Sequence, residues 1–242
     1  MLIDDPSITV AAVPIKHTVQ CIGYTIIERD RTKVCPEKAK ALGVSGRLLG
    51  VLQEGHSVTL ENGTLIEPEA ILSTQKRLGR KVVVLGDTCD PSGLLEYGAE
   101  PDLLIHEATY ATALENMAIA RGHSSARMAG DFARALGAET LVVTHFSNRY
   151  RFGPSSTEME VDHQIEEAIR ASAMAGNSSG KLTATDILTG EAKEAFGSER
   201  VVAAHDFMML SLPRHPFHDT GGAGRTRRRS QVGVAPAAAP RA

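Results

Sequence analysis

The chain has 242 residues, 42% of them hydrophobic and 23% charged, enough for one large domain with an ordinary core. A formal net charge of -3 excludes a fold that attracts nucleic acid as a whole, so any such binding requires a local basic patch. No apolar run approaches the roughly 20 residues that cross a bilayer, and MLIDDPSITV lacks the basic start and long apolar core of a signal peptide.

In chain order, ITVAAV (8–13) and IGYTII (22–27) read as strands flanking PIKHTVQC. The texture changes between 29 and 80. EKAKALGV is predicted as a short helix ending at Gly43, and VTLENGTLIEPEAIL as a hairpin around Asn62-Gly63. This segment reads as an inserted arm rather than core. From residue 81 the core pattern resumes: KVVVLGD and DLLIHEATY as buried strands, ARMAGDFARALG as an amphipathic helix stopping at Gly137, and LVVTHF as the next strand. EMEVDHQIEEAIRASAMAG (158–176) is predicted helical and VVAAHDFMMLSLP a last strand. Such alternation predicts α/β layers over residues 1–213. Residues 214–242 are rich in Gly, Ala, Pro and Arg, have little to bury, and are predicted to be a disordered tail. Its TRRRS run reads as solvated rather than as an RNA contact. Cys21, Cys35 and Cys89 form no CxxC pair or disulfide framework and read as reduced thiols of an intracellular protein.

Four of the nine histidines, His17, His106, His123 and His145, fall just after an apolar strand or at the mouth of a helix. Asp87 ends VVVLG in the same way. The carboxyl ends of strands are where ligands bind in layered α/β folds. Singly, each residue has a plain reading. Asp87 suits a turn or cap, Glu107 a surface carboxylate, and His123 the position before a capping Ser124 or Ser125. Together they point to one shared site. Neutral imidazoles and carboxylates are ordinary zinc ligands. A bridging carboxylate can hold two ions about 3.5–4 Å apart, where they polarise a phosphate and acidify a water. A non-ligating His and Glu would then handle the protons.

VPIKHTVQCIGYTI, KVVVLGDT, LLIHEATY, GHSS and LVVTHFSNRY occur in the order found in ribonuclease Z, and the chain resembles that family over residues 2–213. The family comprises tRNA 3′-processing endonucleases of the metallo-β-lactamase superfamily. The resemblance implies an αββα sandwich holding two zinc ions, with His17 on one, Asp87 bridging both and His145 on the other. It implies that Glu107 and His123 relay a proton to the departing 3′ oxygen, and it leaves His106 a structural role or one supporting the residues that hold the metal. His123 is followed here by Ser124-Ser125 rather than Ser-Thr. Residues 29–80 stand where the family carries a flexible arm that grips tRNA, with LGVSGRLLG in place of its Gly/Pro-rich stretch. In QKRLGRK, residues Lys76, Arg77, Arg80 and Lys81 are candidates to hold substrate phosphates, with a solvated basic turn as the alternative. Precursor tRNA is the implied substrate and a homodimer the implied assembly.

The family's His-x-His-x-Asp-His run, which supplies four ligands and a catalytic aspartate, does not occur in these 242 residues. The chain begins within the strand leading to His17, so the sandwich is expected to lack its N-terminal portion. Three of seven expected ligands remain. A catalytic zinc ordinarily takes three protein ligands by itself, so zinc binding by this chain alone is expected to be poor. Two readings follow. One is a zinc phosphodiesterase that removes the 3′ trailer from precursor tRNA. The other is a non-catalytic truncated form that binds tRNA or pairs with a full-length subunit. A metallo-β-lactamase-fold hydrolase of small esters is a third, against which the HEAT and HSS loops argue. The expected location is intracellular, cytoplasmic and/or nuclear, with no membrane association.

Overall fold

KVVVL, LLIHE and LVVT each carry a run of leucine or β-branched side chains, which suits strands buried on both faces of a parallel sheet. All three form such strands in the computed structural model, which describes residues 1–148, 184–219 and 233–235. The backbone separates into two compact units. One takes Met1–Val10, Ile26–Arg80 and Pro213–Gln231; the other takes Ala11–Thr25, Lys81–Leu212 and Val232–Ala242.

The strands of the first half are β1 (Ile3–Asp4), β2 (Ile8–Ile15), β3 (Cys21–Glu28), β4 (Arg31–Val34), β5 (Val58–Thr59), β6 (Leu65–Ile66) and β7 (Leu72–Arg77). Then come β8 (Lys81–Leu85), β9 (Leu103–Glu107), β10 (Leu141–Thr144), β11 (Val201–Ala203), β12 (Met209–Ser211), β13 (His218–Asp219) and β14 (Gly233–Ala235).

The larger unit is built on a sheet in the order β2-β3-β8-β9-β10-β11, to which β2 and β3 contribute residues 11–15 and 21–25. The four strands from β8 to β11 are mutually parallel, with Val83 opposite Leu104, Leu104 opposite Leu141, and Leu141 opposite Val201. Parallel register brings their carboxyl ends to one edge. The helix Ala126–Leu136 packs on this core through Ala129, Phe132, Ala133 and Leu136. Ser125 caps its start by accepting the Met128 N–H, and Gly137 ends it in the left-handed conformation (φ 70°) that glycine adopts without strain. A second helix, Ala184–Phe196, lies against the first at Gly130. A Cβ there would stand 2.4 Å from the Ala192 carbonyl oxygen and 2.7 Å from the Ala195 Cβ.

In the smaller unit, β4 and β7 pair antiparallel, and two short helices, Pro36–Ala41 and Arg47–Gln53, close a core of Ala39, Val44, Leu52, Val58, Ile66 and Ile71. The Asn62-Gly63 hairpin forms as its sequence predicts. Val58 pairs with Ile66, Gly63 takes φ 83°, and the Asn62 side chain accepts the Thr64 N–H.

Two expectations need correction. The last strand is not continuous over 201–213: β11 ends at Ala203, a turn follows in which Phe207 has φ 61°, and β12 pairs instead with β14. The segment from 214 is not featureless where it is described. His215 is buried, and β13 adds to β7 with His218 opposite Lys76. Backbone pairing needs no apolar side chains, which is why composition alone misses it. The remainder of that segment and the helix expected over 158–176 lie outside the described residues. Among the described residues, no helix is long and apolar enough to cross a membrane.

Gly130→Ala should destabilise the larger unit by about 1–3 kcal/mol through overpacking, read as a lower midpoint in urea unfolding. An unchanged midpoint would refute the close approach of the two helices. The second helix also carries the half-buried Glu191, whose carboxylate accepts the Thr112 N–H (2.8 Å) and hydroxyl (2.9 Å). Burial raises its pKa, against the lowering effect of those two hydrogen bonds. A raised carboxyl pKa means the folded state holds the proton more tightly. This contribution is complete below the ordinary glutamate value and is lost as pH rises through the folded value. Glu191→Gln should therefore flatten the pH dependence of stability in that window, measured by thermal melts from pH 4 upward.

Candidate metal centre

Four strands of the larger unit, β2, β8, β9 and β10, end at or just before a candidate side chain: His17, Asp87, Glu107 and His145. Past β2, the Lys16 N–H donates to the Asp90 carbonyl (3.1 Å) and the Cys89 N–H donates to the Lys16 carbonyl (2.9 Å). These two bonds tie the loop after β8 to the segment bearing His17. The His17 Nδ1–H donates to the Gly122 carbonyl at 2.7 Å, which leaves Nε2 as the lone-pair nitrogen. Gly122 has φ 78°, and a Cβ there would come within 2.7 Å of His17 Nδ1.

Glu107, the last residue of β9, is only 2% exposed. Its carboxylate accepts the Thr88 N–H at 2.6 Å, the Thr109 hydroxyl, and the His123 Nδ1–H at 3.1 and 3.2 Å from its two oxygens. His145 follows β10 with φ 57°, a left-handed turn that swings its ring off the strand direction. Its Nδ1 lies 2.9 Å from the Thr109 hydroxyl oxygen and 3.5 Å from Asp87 Oδ1. Thr109 already donates its proton to Glu107, so it accepts from His145 Nδ1–H, and the His145 Nε2 is left free.

The rings of His17 and His123 stand 4.9 Å apart and those of His123 and His145 5.4 Å apart. Two sets of ligand-capable atoms result, each within 4.8 Å of one another: His17 with Asp87 and His123, and Glu107 with His123 and His145. Five of the six residues singled out from the sequence thus meet in one place, and His106 does not. Imidazole nitrogens and carboxylate oxygens are the donors zinc takes, and the hydrogen-bonded Nδ1 atoms of His17, His123 and His145 leave Nε2 lone pairs facing outward from those bonds. The residues present fit such an ion.

His106 is turned the other way by the pleat. It is fully buried against Phe132, donates Nδ1–H to the Glu107 carbonyl (2.7 Å), and is held neutral because burial lowers its pKa. It therefore faces the core rather than the site, although its place at the end of an apolar strand had grouped it with the other histidines. Sequence reasoning missed Thr88, Thr109 and Gly122. Thr109 is the last residue of HEAT and Thr88 the last of GDT, so the motifs held the signal; the Gly122 contact has none, because it depends on a carbonyl oxygen.

Lys76, Arg77 and Arg80 belong to the smaller unit. Lys76 is exposed on β7, and Arg77, one residue on, lies with its guanidinium 5.1 Å from the Phe217 ring. Arg80 is engaged by Glu28, to which it donates from Nε at 2.7 Å and from a second guanidinium nitrogen. Those bonds hold the Glu28 carboxyl below the usual range.

No protein-family profile matches the chain. Among known proteins, it is 35% identical over 220 residues to zinc phosphodiesterase ELAC protein 1 from Homo sapiens, covering 88% of this chain and 54% of that protein. It is 37% identical over 217 residues to ribonuclease Z from Cyanothece sp., covering 89% of this chain and 58% of that protein. The chain spans about half the length of the curated relatives it matches. Among solved structures, human short-form tRNase Z superposes with a TM-score of 0.39 at 27% identity, over 61% of this chain and 39% of that one. With 35–37% identity over 88–89% of its length, the chain is homologous to about half of a ribonuclease Z or zinc phosphodiesterase ELAC protein.

Proposed function

We propose that this chain supplies one part of a two-zinc phosphodiesterase that removes the 3′ trailer from precursor tRNA. The observation that carries this reading is the convergence of His17, Asp87, Glu107, His123 and His145 from separate loops onto one site. In it His17, Asp87 and His145 would be the residues that hold zinc. Zinc, when bound there, supplies a Lewis acid and an acidified water.

This chain's own residues do the rest. Glu107, fixed by Thr88 and Thr109, holds His123 by its Nδ1–H, so that Nε2 is the atom that exchanges a proton with the departing 3′ oxygen. Lys76, Arg77 and Arg80 are the candidates to hold substrate phosphates. The fold assigned is the αββα metallo-β-lactamase sandwich, residues 1–213 forming part of it and 29–80 its inserted arm.

Three ligands for two ions are too few. We therefore assign the remaining donors to segments beyond those present here, or to a partner subunit, with a homodimer or pairing with a full-length subunit as the assembly. The same shortage supports the second reading, a non-catalytic module that binds tRNA or regulates an intact subunit. Either form would work inside the cell, in cytoplasm or nucleus.

The test is a chimera joining this chain to the N-terminal half of a ribonuclease Z relative. It should bind close to two zincs, by elemental mass spectrometry, and trim precursor tRNA. A chimera that folds and binds zinc but leaves tRNA uncut would overturn the reading. Asp87→Ala should lose both metal and cleavage. His123→Ala should keep its zinc while kcat falls about 10²- to 10⁴-fold; loss of metal would show that His123 is a ligand instead.

A further inference from the structure

The smaller unit contains a cleft of 130 Å³, lined by Arg29, Arg31, Arg77 and Arg214 with Ser7 and Glu28. At the roughly 30 Å³ a water molecule occupies in the liquid, it has room for about four waters or for one phosphoryl group.

Its charges do not balance. Arg29 is paired with Asp4, and Arg31 has Glu54 at 3.9 Å. Glu28, the one carboxylate lining the cleft, is engaged by Arg80. Among the described residues no carboxylate lies within 4 Å of Arg77 or Arg214. From 213 to the end of the chain the sequence offers one acidic side chain, Asp219, against six arginines.

The Arg77 guanidinium is anchored rather than free, half-buried against the face of Phe217. Its pKa is lowered, by burial first and then by the neighbouring Arg214. Arg77 and Arg214 share only the Glu28 carboxylate, which Arg80 already engages, so positive charge is in excess at the cleft and an anion that accepts from both guanidiniums would be stabilised there. Paired N–H donors on a planar fork match the oxygens of a phosphate.

We infer that this cleft binds one phosphodiester of an RNA backbone through Arg77 and Arg214, with Arg31 and Ser7 at its wall. The choice of RNA over other phosphates rests on the function proposed above; the anion site itself rests on the cleft. The inference also divides the basic segment. Adjacent residues on a strand face opposite ways, so Arg77 reaches the cleft and Lys76 does not, and Arg80 acts by occupying Glu28.

The test uses the full chain with uniform ¹⁵N labelling. The arginine Nε–Hε signals are followed against inorganic phosphate, a dinucleoside monophosphate and a 12-nucleotide single-stranded RNA. Saturable shifts of Arg77 and Arg214 with both the dinucleotide and the 12-mer are expected. Arg77→Gln and Arg214→Gln should each weaken 12-mer binding by roughly tenfold, the scale of one lost charge-assisted contact. Each should also reduce the slope of log affinity against log salt by about one. Lys38→Gln, which removes an equal charge from the helix Pro36–Ala41, should change affinity less than either.

Binding of inorganic phosphate with no response to the RNA probes would overturn the assignment to RNA. No shift with any probe, or an equal loss in Lys38→Gln, would overturn the site. These readouts involve no cleavage and no zinc. A chimera that fails to cut tRNA while the 12-mer still binds would strike the proposed reaction and leave the cleft standing.

Discussion

The site is organised by a buried carboxylate that has to be satisfied. Glu107 has almost no contact with water, and a carboxylate in that position is tolerable only if donors replace its hydration. The donors come from three different places: the backbone after β8, the hydroxyl two residues beyond β9, and the imidazole before the helix Ala126–Leu136. One interaction thereby fixes three loops. Through Thr109 it reaches a fourth, because the same hydroxyl accepts from His145. The geometry of His123 and His145 follows from satisfying one charge.

That arrangement works because the sheet supporting it is rigid. Parallel strands with fully buried Leu104, Leu141 and Val143 leave little freedom at their ends, and side-chain direction is set by the pleat. His106 and Glu107 are neighbours in sequence but serve different purposes, one packed under the helix and the other facing the site. A one-residue slip of β9 would exchange them.

Much of this was legible in the sequence. LVVTHFSNRY places an imidazole at a strand tip, and HEAT and GHSS mark the carboxylate and histidine that do meet. Asn62-Gly63 announces its hairpin because the turn chemistry is local. What was not legible depends on partners far along the chain. The pairing of Arg80 with Glu28 spans 52 residues, and nothing in QKRLGRK announces it. The break after Ala203 turns on a left-handed Phe207, a conformation bulky residues seldom take. The strand at His218–Asp219 is held by its backbone. Local patterns fixed the strand tips and the hairpin; the long-range electrostatics had to be seen.

The contact at Gly122 has a consequence for how this site tolerates change. The group that decides which nitrogen of His17 carries the proton is a main-chain carbonyl oxygen. Every amino acid supplies that oxygen, so side-chain replacement cannot delete it, and a scan replacing residues with alanine would record only the damage done by an added Cβ. The tautomer of His17 is in this sense written into the path of the backbone. It can be altered by moving the loop, but not by editing the chemistry of any side chain along it.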